Sequence, residues 1–246
     1  MESLQSPTAT PATVGGVPRS IGQKLLTYDR KLGARFVAGA DEAGRGSLAG
    51  PLVVAGVLLD YECLRNHRVR PLATLNDSKQ VSPAEREELF RAVVGCATRI
   101  SVRVIPCTDI DRNGLHKSNL WGLRSVLSDL APPAEACLVD GFRLGPLAPE
   151  HRAVVDGDEK SAAIAAASIV AKVTRDRMML ELHATDPRYG FDRHKGYATR
   201  DHLNAVSRFG YSDVHRRSFR PQTLFDTMDG PPSEPTSPGD LRGPRS

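Results

Sequence analysis

Residues 35–59 read RFVAGADEAGRGSLAGPLVVAGVLL and contain two apolar runs joined by a glycine-rich loop. The first run, residues 35–40, predicts a short strand that ends at Asp41. The second run, residues 52–59, is almost continuously apolar, which is typical of a buried strand. This stretch therefore predicts two strands, with an acidic pair, Asp41 and Glu42, where the first one stops.

Helices and further strands mix along the rest of the chain. Ser82, Pro83 and Glu85 are typical of a helix start, because a serine cap, a first-turn proline and a following glutamate suit the free amides there. The predicted elements are a helix from there to about Val94, strands at 99–105, 136–139 and 153–155, and helices at 115–130, 161–183 and 199–208 with a stop at Gly210. The first half of the 161–183 helix has small side chains, so it can lie close to a sheet. These elements predict an α/β domain with a mixed sheet flanked by helices.

The composition excludes several classes of protein. The 246 residues are 40% hydrophobic and 25% charged, as in a globular domain. No window approaches the roughly 18 apolar residues of a membrane span, and residues 1–20 show no secretory signal. Four widely spaced cysteines without a C-x-x-C pair indicate reduced thiols, so we expect a cytoplasmic protein.

Both ends of the chain differ from its body. Residues 1–20 and 222–246 are rich in Pro, Gly, Ser and Thr and are predicted to be disordered tails of a single domain at 21–221. The tails hold five of the 29 acidic and three of the 33 basic residues, so the domain is more basic than the whole chain. A basic domain favours a polyanion such as nucleic acid, with generic solubility charge as the alternative.

Four acids lie where apolar strands stop or beside a helix start: Asp41, Glu42, Asp140 and Asp158. Clustered carboxylates repel one another unless protons or cations lie between them. An all-oxygen set suits Mg²⁺ or Mn²⁺ better than zinc, and two such ions can hydrolyse a phosphodiester. The alternatives are a glycosidase carboxylate pair and simple turns at the Asp-Gly steps.

The loop at residues 43–51 has the composition of an anion-binding segment. Its glycines allow close approach of the backbone to a ligand, and Arg45 adds a fixed positive charge. A dinucleotide fingerprint fails, because the last glycine is one residue too far away and a strand-like run follows Pro51. A P-loop is excluded because no G-K-[ST] occurs.

The same loop carries a family resemblance. GADEAGRG at 39–46, with Gly50 and Pro51 after it, resembles the signature of the type 2 ribonuclease H family, ribonuclease HII. Further segments resemble that family in the same order: NDSK at 76–79, VDG at 139–141, GDEKS at 157–161 with the helix that follows it, KGYATRDH at 195–202 and HRRSF at 215–219. Each segment is weak alone, but six in order are specific, and they cover about residues 34–221.

The resemblance implies a fold and a metal site. The fold would be RNase H-like, with a mixed sheet flanked by helices. Asp41, Glu42 and Asp140 would bind Mg²⁺ or Mn²⁺, with two ions in the active complex. Asp158 would be the fourth carboxylate, although the neighbouring Glu159 makes that assignment less direct.

The resemblance also implies a substrate. The family cleaves RNA in RNA–DNA hybrids and nicks duplex DNA 5′ to an embedded ribonucleotide, leaving 3′-hydroxyl and 5′-phosphate ends. Gly44, Arg45 and Gly46 would read the ribose 2′-hydroxyl, and Tyr197 would pack on the sugar. Lys79 is predicted to contact a phosphate, with a solvated loop charge as the alternative. We expect the chain to act as a monomer, away from membranes.

Two alternative functions stay open, and several charged residues are given only structural or solvent-facing roles. Another RNase H-fold nuclease, such as a junction resolvase, would cut DNA without reading a ribose, and a non-catalytic module would bind nucleic acid without cutting it. Lys160 and Lys172 are interpreted as solvent-facing helix charges, and Arg175 and Asp176 as structural or solvated.

Overall fold

The computed structural model describes residues 21–65, 72 and 82–219. The predicted tails and the 76–79 segment with Lys79 therefore lie outside the described residues. A five-stranded sheet forms the centre: β1 Phe36–Ala43, β2 Leu52–Asp60, β3 Arg99–Ile105, β4 Ala136–Asp140 and β5 Arg152–Val154. The strand order is β3-β2-β1-β4-β5. The first three strands are antiparallel neighbours, whereas β4 and β5 run parallel to β1, so the predicted mixed sheet is confirmed.

The helices within the described residues are α1 Ile21–Arg30, α2 Pro83–Cys96, α3 Cys107–Asn113, α4 Leu115–Leu130, α5 Ala162–Thr185, α6 Phe191–His194 and α7 Arg200–Phe209. The four predicted helices are confirmed to within two residues at each end, and α2 has its capping box between Ser82 and Glu85. The sequence analysis missed α1, α3 and α6. None of the described helices has both the length and the apolarity to cross a membrane.

The acidic pair lies inside β1 and not after its end, so the predicted end of this strand at Asp41 was wrong. β1 continues through Ala43 because β2 pairs with it along its whole length, with Asp41 opposite Ala55 and Glu42 opposite Val54. Successive residues of a strand face opposite sides of the sheet, so the two carboxylates point toward different helices.

Each face of the sheet is covered by its own apolar core. α4 packs through Leu123, Val126 and Leu127 on the face that carries Ala38 and Ala40 of β1. On the other face, the small residues of α5 form a second core, joined there by residues of α1 and α2. Because both faces are buried, β2 has no exposed residue, as its continuous apolar run indicates.

The small residues of α5 bring the helix very close to the sheet, as the sequence predicts. A Cβ atom added at Gly39 of β1 would overlap the backbone of Ala163 and Ile164. A third element fixes the helix start, since the buried Asp29 of α1 accepts hydrogen bonds from the Ala163 N–H, at 2.9 Å, and from the Tyr61 hydroxyl, at 2.6 Å. Burial raises the pKa of Asp29 to about 6. The start of α5 is thus held at a fixed depth against β1.

Candidate active site

A cavity of about 260 Å³ opens beside the last residues of β1 and β4. Carboxylates from three distant segments line it together with the glycine-rich loop, and its described lining residues are Asp41, Glu42, Ala43, Gly44, Arg45, Gly46, Asp140, Asp158, Ser168, Lys172 and Tyr197. A larger cavity of about 490 Å³ lies elsewhere, against Trp121. Its one carboxylate, Asp109, is paired with Arg112 at 3.3 Å. The smaller cavity is the candidate active site because four carboxylates and the glycine-rich loop line it together.

The sheet register brings Asp41 and Asp140 together. β4 is the parallel neighbour of β1, and Ala40 pairs with Val139, so Asp41 and Asp140, the next residue of each strand, lie side by side. Asp140 Oδ1 accepts a 2.7 Å hydrogen bond from the Gly157 N–H. This bond ties β4 to the short 3₁₀ helix Gly157–Glu159, which carries Asp158. Asp158 is buried at 6% exposure whereas Glu159 is exposed, so Asp158 is the residue of this acidic pair that faces the cavity.

Asp41 and Glu42 belong to opposite faces of the sheet. Asp41 interacts with Ser168 of α5, and Glu42 lies near Asn119 of α4. The buried Asn119 amide has no partner with hydrogen-bond geometry among the described residues. Neither Ser168 nor Asn119 was predicted, because nothing local in the sequence connects either of them to the acidic pair.

Burial and mutual repulsion hold protons on the acidic pair. The pKa of Asp41 lies well above its ordinary value, first because the carboxyl is buried and then because Glu42 and Asp140 repel its charge. Burial likewise raises the pKa of Glu42 to about 7, against the opposing effect of Arg45, whose guanidinium is 3.9 Å away. Without a cation, ionising both groups is therefore costly.

The donor set fits a hard divalent cation. Glu42 Oε2 is buried and has no hydrogen-bond partner among the described residues, so once Glu42 is ionised this oxygen is available to a cation. All four carboxylates supply oxygen, the ligand atom that Mg²⁺ and Mn²⁺ prefer. Among the described residues, no three His, Cys, Asp or Glu side chains already have the geometry to hold an ion. Side-chain rotation would have to complete the coordination.

Metal binding should strengthen as the pH rises. Between the ordinary Glu42 pKa of 4.5 and its folded value of about 7, the metal-free folded protein holds more protons than the unfolded chain, so its free energy of unfolding falls with pH. A cation requires the ionised carboxylates and reverses this loss. We expect the rise in Tm caused by Mg²⁺ over EDTA to be larger at pH 8 than at pH 6. Equal rises at both values would contradict the burial of this pair.

The glycine-rich loop and Tyr197 form the other wall of the cavity. Leu48 N–H donates to the Gly196 carbonyl at 2.8 Å, and Ser47 bridges to Tyr197 in antiparallel fashion. Tyr197 is 37% exposed, and Lys172 and Arg175 of α5 lie near its ring, at 5.9 and 5.4 Å from its centroid. The aromatic ring therefore stands at the cavity mouth beside positive charge.

Lys172 is a cavity residue rather than a solvent-facing helix charge, so that interpretation was wrong. It lines the cavity and pairs with Asp176 at 2.5 Å. The helical spacing of Ser168, Lys172 and Asp176, four residues apart, places the three on one face of α5. That spacing is a signal that sequence analysis can use.

Two neutral, buried histidines, His202 and His215, form a hydrogen-bonded chain that ends on the Tyr197 carbonyl. His215 Nδ1 accepts from the Ser212 N–H at 3.0 Å, so its Nε2 carries the proton and donates to His202 Nε2 at 3.0 Å. His202 Nδ1 then donates to the Tyr197 carbonyl at 3.0 Å. Burial lowers the pKa of both histidines to about 4, which keeps them neutral at pH 7.

These features define a class of protein. A mixed sheet with helices on both faces, and acidic side chains on two parallel neighbouring strands, is an RNase H-like α/β fold. The crystal structure of ribonuclease H2 from Pyrococcus horikoshii OT3 has the same fold, with a TM-score of 0.64 and 24% identity over 78% of this chain and 96% of that one.

The sequence comparisons identify the family. The chain belongs to the ribonuclease HII family, whose pattern matches residues 38–222. It is 48% identical over 198 residues to ribonuclease HII of Acidothermus cellulolyticus, covering 79% of this chain and 63% of that protein. It is 44% identical over 231 residues to ribonuclease HII of Rhizobium johnstonii, covering 94% of this chain and 96% of that protein.

Proposed function

We propose that this protein is an endonuclease that hydrolyses the RNA strand of RNA–DNA hybrids and nicks duplex DNA 5′ to embedded ribonucleotides. The products would carry 3′-hydroxyl and 5′-phosphate ends. The observation that carries the proposal is the single cavity at which Asp41, Asp140 and Asp158 meet the Gly44–Gly46 loop and Tyr197. In this proposal the carboxylates serve phosphodiester hydrolysis, and the loop serves recognition of the ribose.

The carboxylates would hold two divalent cations, Mg²⁺ or Mn²⁺. Asp41, Glu42 and Asp140 are the proposed ligands, and Asp158 would complete the site as a ligand or by assisting product release. When bound, such ions lower the pKa of a water and neutralise charge on the phosphate. The protein would contribute buried carboxylate oxygens, which must lose their protons to bind a cation, and a cavity beside the parallel strands β1 and β4.

The loop and Tyr197 would recognise the nucleotide. Gly44, Arg45 and Gly46 would read the 2′-hydroxyl, which distinguishes RNA from DNA at one nucleotide. Tyr197 would pack against the sugar. Lys172 adds a positive charge at the same cavity, where a phosphate would lie.

The proposal extends to the setting of the reaction. The chain would act as a monomer in the cytoplasm, removing ribonucleotides during DNA replication and repair. The proposal of a reducing compartment starts from the wide spacing of Cys63, Cys96, Cys107 and Cys137, which form no disulfide with one another in the structure.

A cleavage assay tests the function directly. A DNA duplex with one embedded ribonucleotide, the same duplex without it and an RNA–DNA hybrid are each incubated with the full-length chain, in Mg²⁺, in Mn²⁺ or in EDTA. We expect cuts in the hybrid and a nick 5′ to the ribonucleotide, only with a divalent cation, and no cut in the all-DNA duplex. Equal cutting of both DNA duplexes would favour the resolvase alternative. Salt-sensitive binding without cleavage would favour a binding module.

A further inference from the structure

Two buried arginines lie behind the glycine-rich loop. Arg175 of α5 and Arg216 of the C-terminal segment are both 0% exposed. Within the part of the chain that the structure describes, neither forms an ion pair with a carboxylate. Buried charge without a counter-ion is costly, so hydrogen bonds must offset it, although Arg175 Nη1 itself has no partner among the described residues.

Arg216 is satisfied by the carbonyl groups of the loop. Its Nη2 donates to the carbonyl oxygens of Gly44, at 2.7 Å, and Gly50, at 3.1 Å. Its Nη1 donates to the carbonyl of Arg45 at 2.9 Å, and its Nε donates to that of Gly50 at 3.1 Å. The backbone N–H of Arg216 also donates to the Leu48 carbonyl at 2.8 Å. One side chain therefore joins both ends of the loop.

Arg175 completes the same arrangement from the helix. It donates to the Pro51 carbonyl at 2.9 Å and to the Ala49 carbonyl at 3.1 Å. Gly44, at φ +91°, is so close that an added Cβ atom would overlap the Arg175 guanidinium. The two arginines thus bind the carbonyl oxygens of residues 44, 45, 49, 50 and 51 from inside the protein.

These hydrogen bonds hold the backbone of the loop in one shape where it lines the cavity. A guanidinium presents its donors in a rigid plane, so it can set the spacing of several carbonyl groups, which a lysine ammonium cannot do. Burial and the charge of Arg175 lower the pKa of Arg216 to about 10, so it stays charged at pH 7. Arg45, by contrast, has a side chain that is 40% exposed and faces Glu42.

We propose that Arg216 is a positioning residue that sets the preference of this protein for a ribonucleotide, by holding Gly44, Arg45 and Gly46 in the shape that reads the ribose. The inference rests on the proposed function, since Arg216 holds the shape of the loop that is proposed there to read the ribose. Arg216 touches no substrate in this scheme and acts only through the loop.

The test measures a ratio of affinities. In full-length protein blocked for cleavage by Asp41→Asn, Kd is measured for a duplex with one ribonucleotide and for the matched all-DNA duplex. Arg216→Lys keeps the charge but loses the fork, so we expect the preference for the ribonucleotide to fall by about tenfold or more. The Kd for all-DNA duplex should change by less than about twofold. Arg217→Lys, at the exposed next residue, is the matched control and should keep the preference.

The outcomes separate the inference from the function. A merely structural role would reduce the fraction of folded protein and leave the ratio for the folded molecules unchanged. A retained preference in Arg216→Lys would therefore overturn the inference alone, whereas no preference in the Asp41→Asn parent would overturn the proposed function. If Arg216→Lys does not fold, Arg175→Lys, which removes the second guanidinium fork, is measured in its place. A retained preference in Arg175→Lys would likewise contradict the inference that the buried arginines position the loop.

Discussion

Replacing Asp41 with asparagine should lower the rate of ribonucleotide-dependent cleavage by about a thousandfold or more. Asp41 lies buried at the centre of the carboxylate set, beside Glu42 and Asp140. Asparagine has the same shape but cannot supply the negative charge that a divalent cation requires. Single-turnover rates on the one-ribonucleotide duplex in saturating Mg²⁺ would measure the loss. Duplex binding should be unchanged or tighter, because a charge that repels phosphate is removed.

The same change should stabilise the metal-free protein. The raised pKa of Asp41 means that its ionised form is unfavourable in the fold, and asparagine does not ionise. We expect a higher Tm in EDTA at pH 8 and a smaller response to Mg²⁺. Glu159→Gln is the control, because it removes an exposed carboxylate beside Asp158 that does not line the cavity. Near wild-type cleavage by Asp41→Asn would show that the metal assignment is wrong.

Replacing Gly44 with alanine should lower kcat/KM on the one-ribonucleotide duplex by about a hundredfold or more. Gly44 adopts φ +91°, which alanine tolerates poorly, and the new methyl group would overlap the Arg175 guanidinium. The loop must shift to relieve the overlap, which moves the groups proposed to read the ribose. Steady-state kinetics on this duplex would give the effect.

The control for this substitution is a glycine with similar backbone strain in open space. Gly33 adopts φ +73° and has no neighbour within 4 Å of an added Cβ atom. Gly33→Ala should cost about 1 kcal/mol of stability and leave kcat/KM unchanged. If both variants lose activity equally, the effect of Gly44→Ala comes from general destabilisation and not from the loop.

Much of the fold was predictable because its signals are local. α4 occupies the predicted residues 115–130, and the cap at Ser82 marks the start of α2. The missed elements had weaker signals. α3 has seven residues, and α1 owes part of its placement to the buried contact of Asp29 with the start of α5.

Part of the candidate site was also predictable. Asp41, Glu42, Asp140 and Asp158 are acids at the ends of apolar runs, a position that indicates chemistry more than packing. Asn119 and Arg216 were given no role, and Lys172 was interpreted as a solvent-facing charge. Asn119 and Arg216 lie against residues that are distant in the chain, so no spacing within a short segment reveals those contacts. The helical spacing of Lys172 and Asp176 predicts their ion pair, but not that Lys172 lines the cavity.

The residue pattern along the chain predicts most of the strands and longer helices, the family that the motifs resemble and the acids that are candidates for metal binding. These properties depend on side-chain pattern over a few residues. The folded chain is needed to show that the four carboxylates share one cavity and that Arg216 binds loop carbonyls 166 to 172 positions away. The physical reason is that such contacts arise from strand register and from the close packing of α5 on β1, which depend on the whole chain at once.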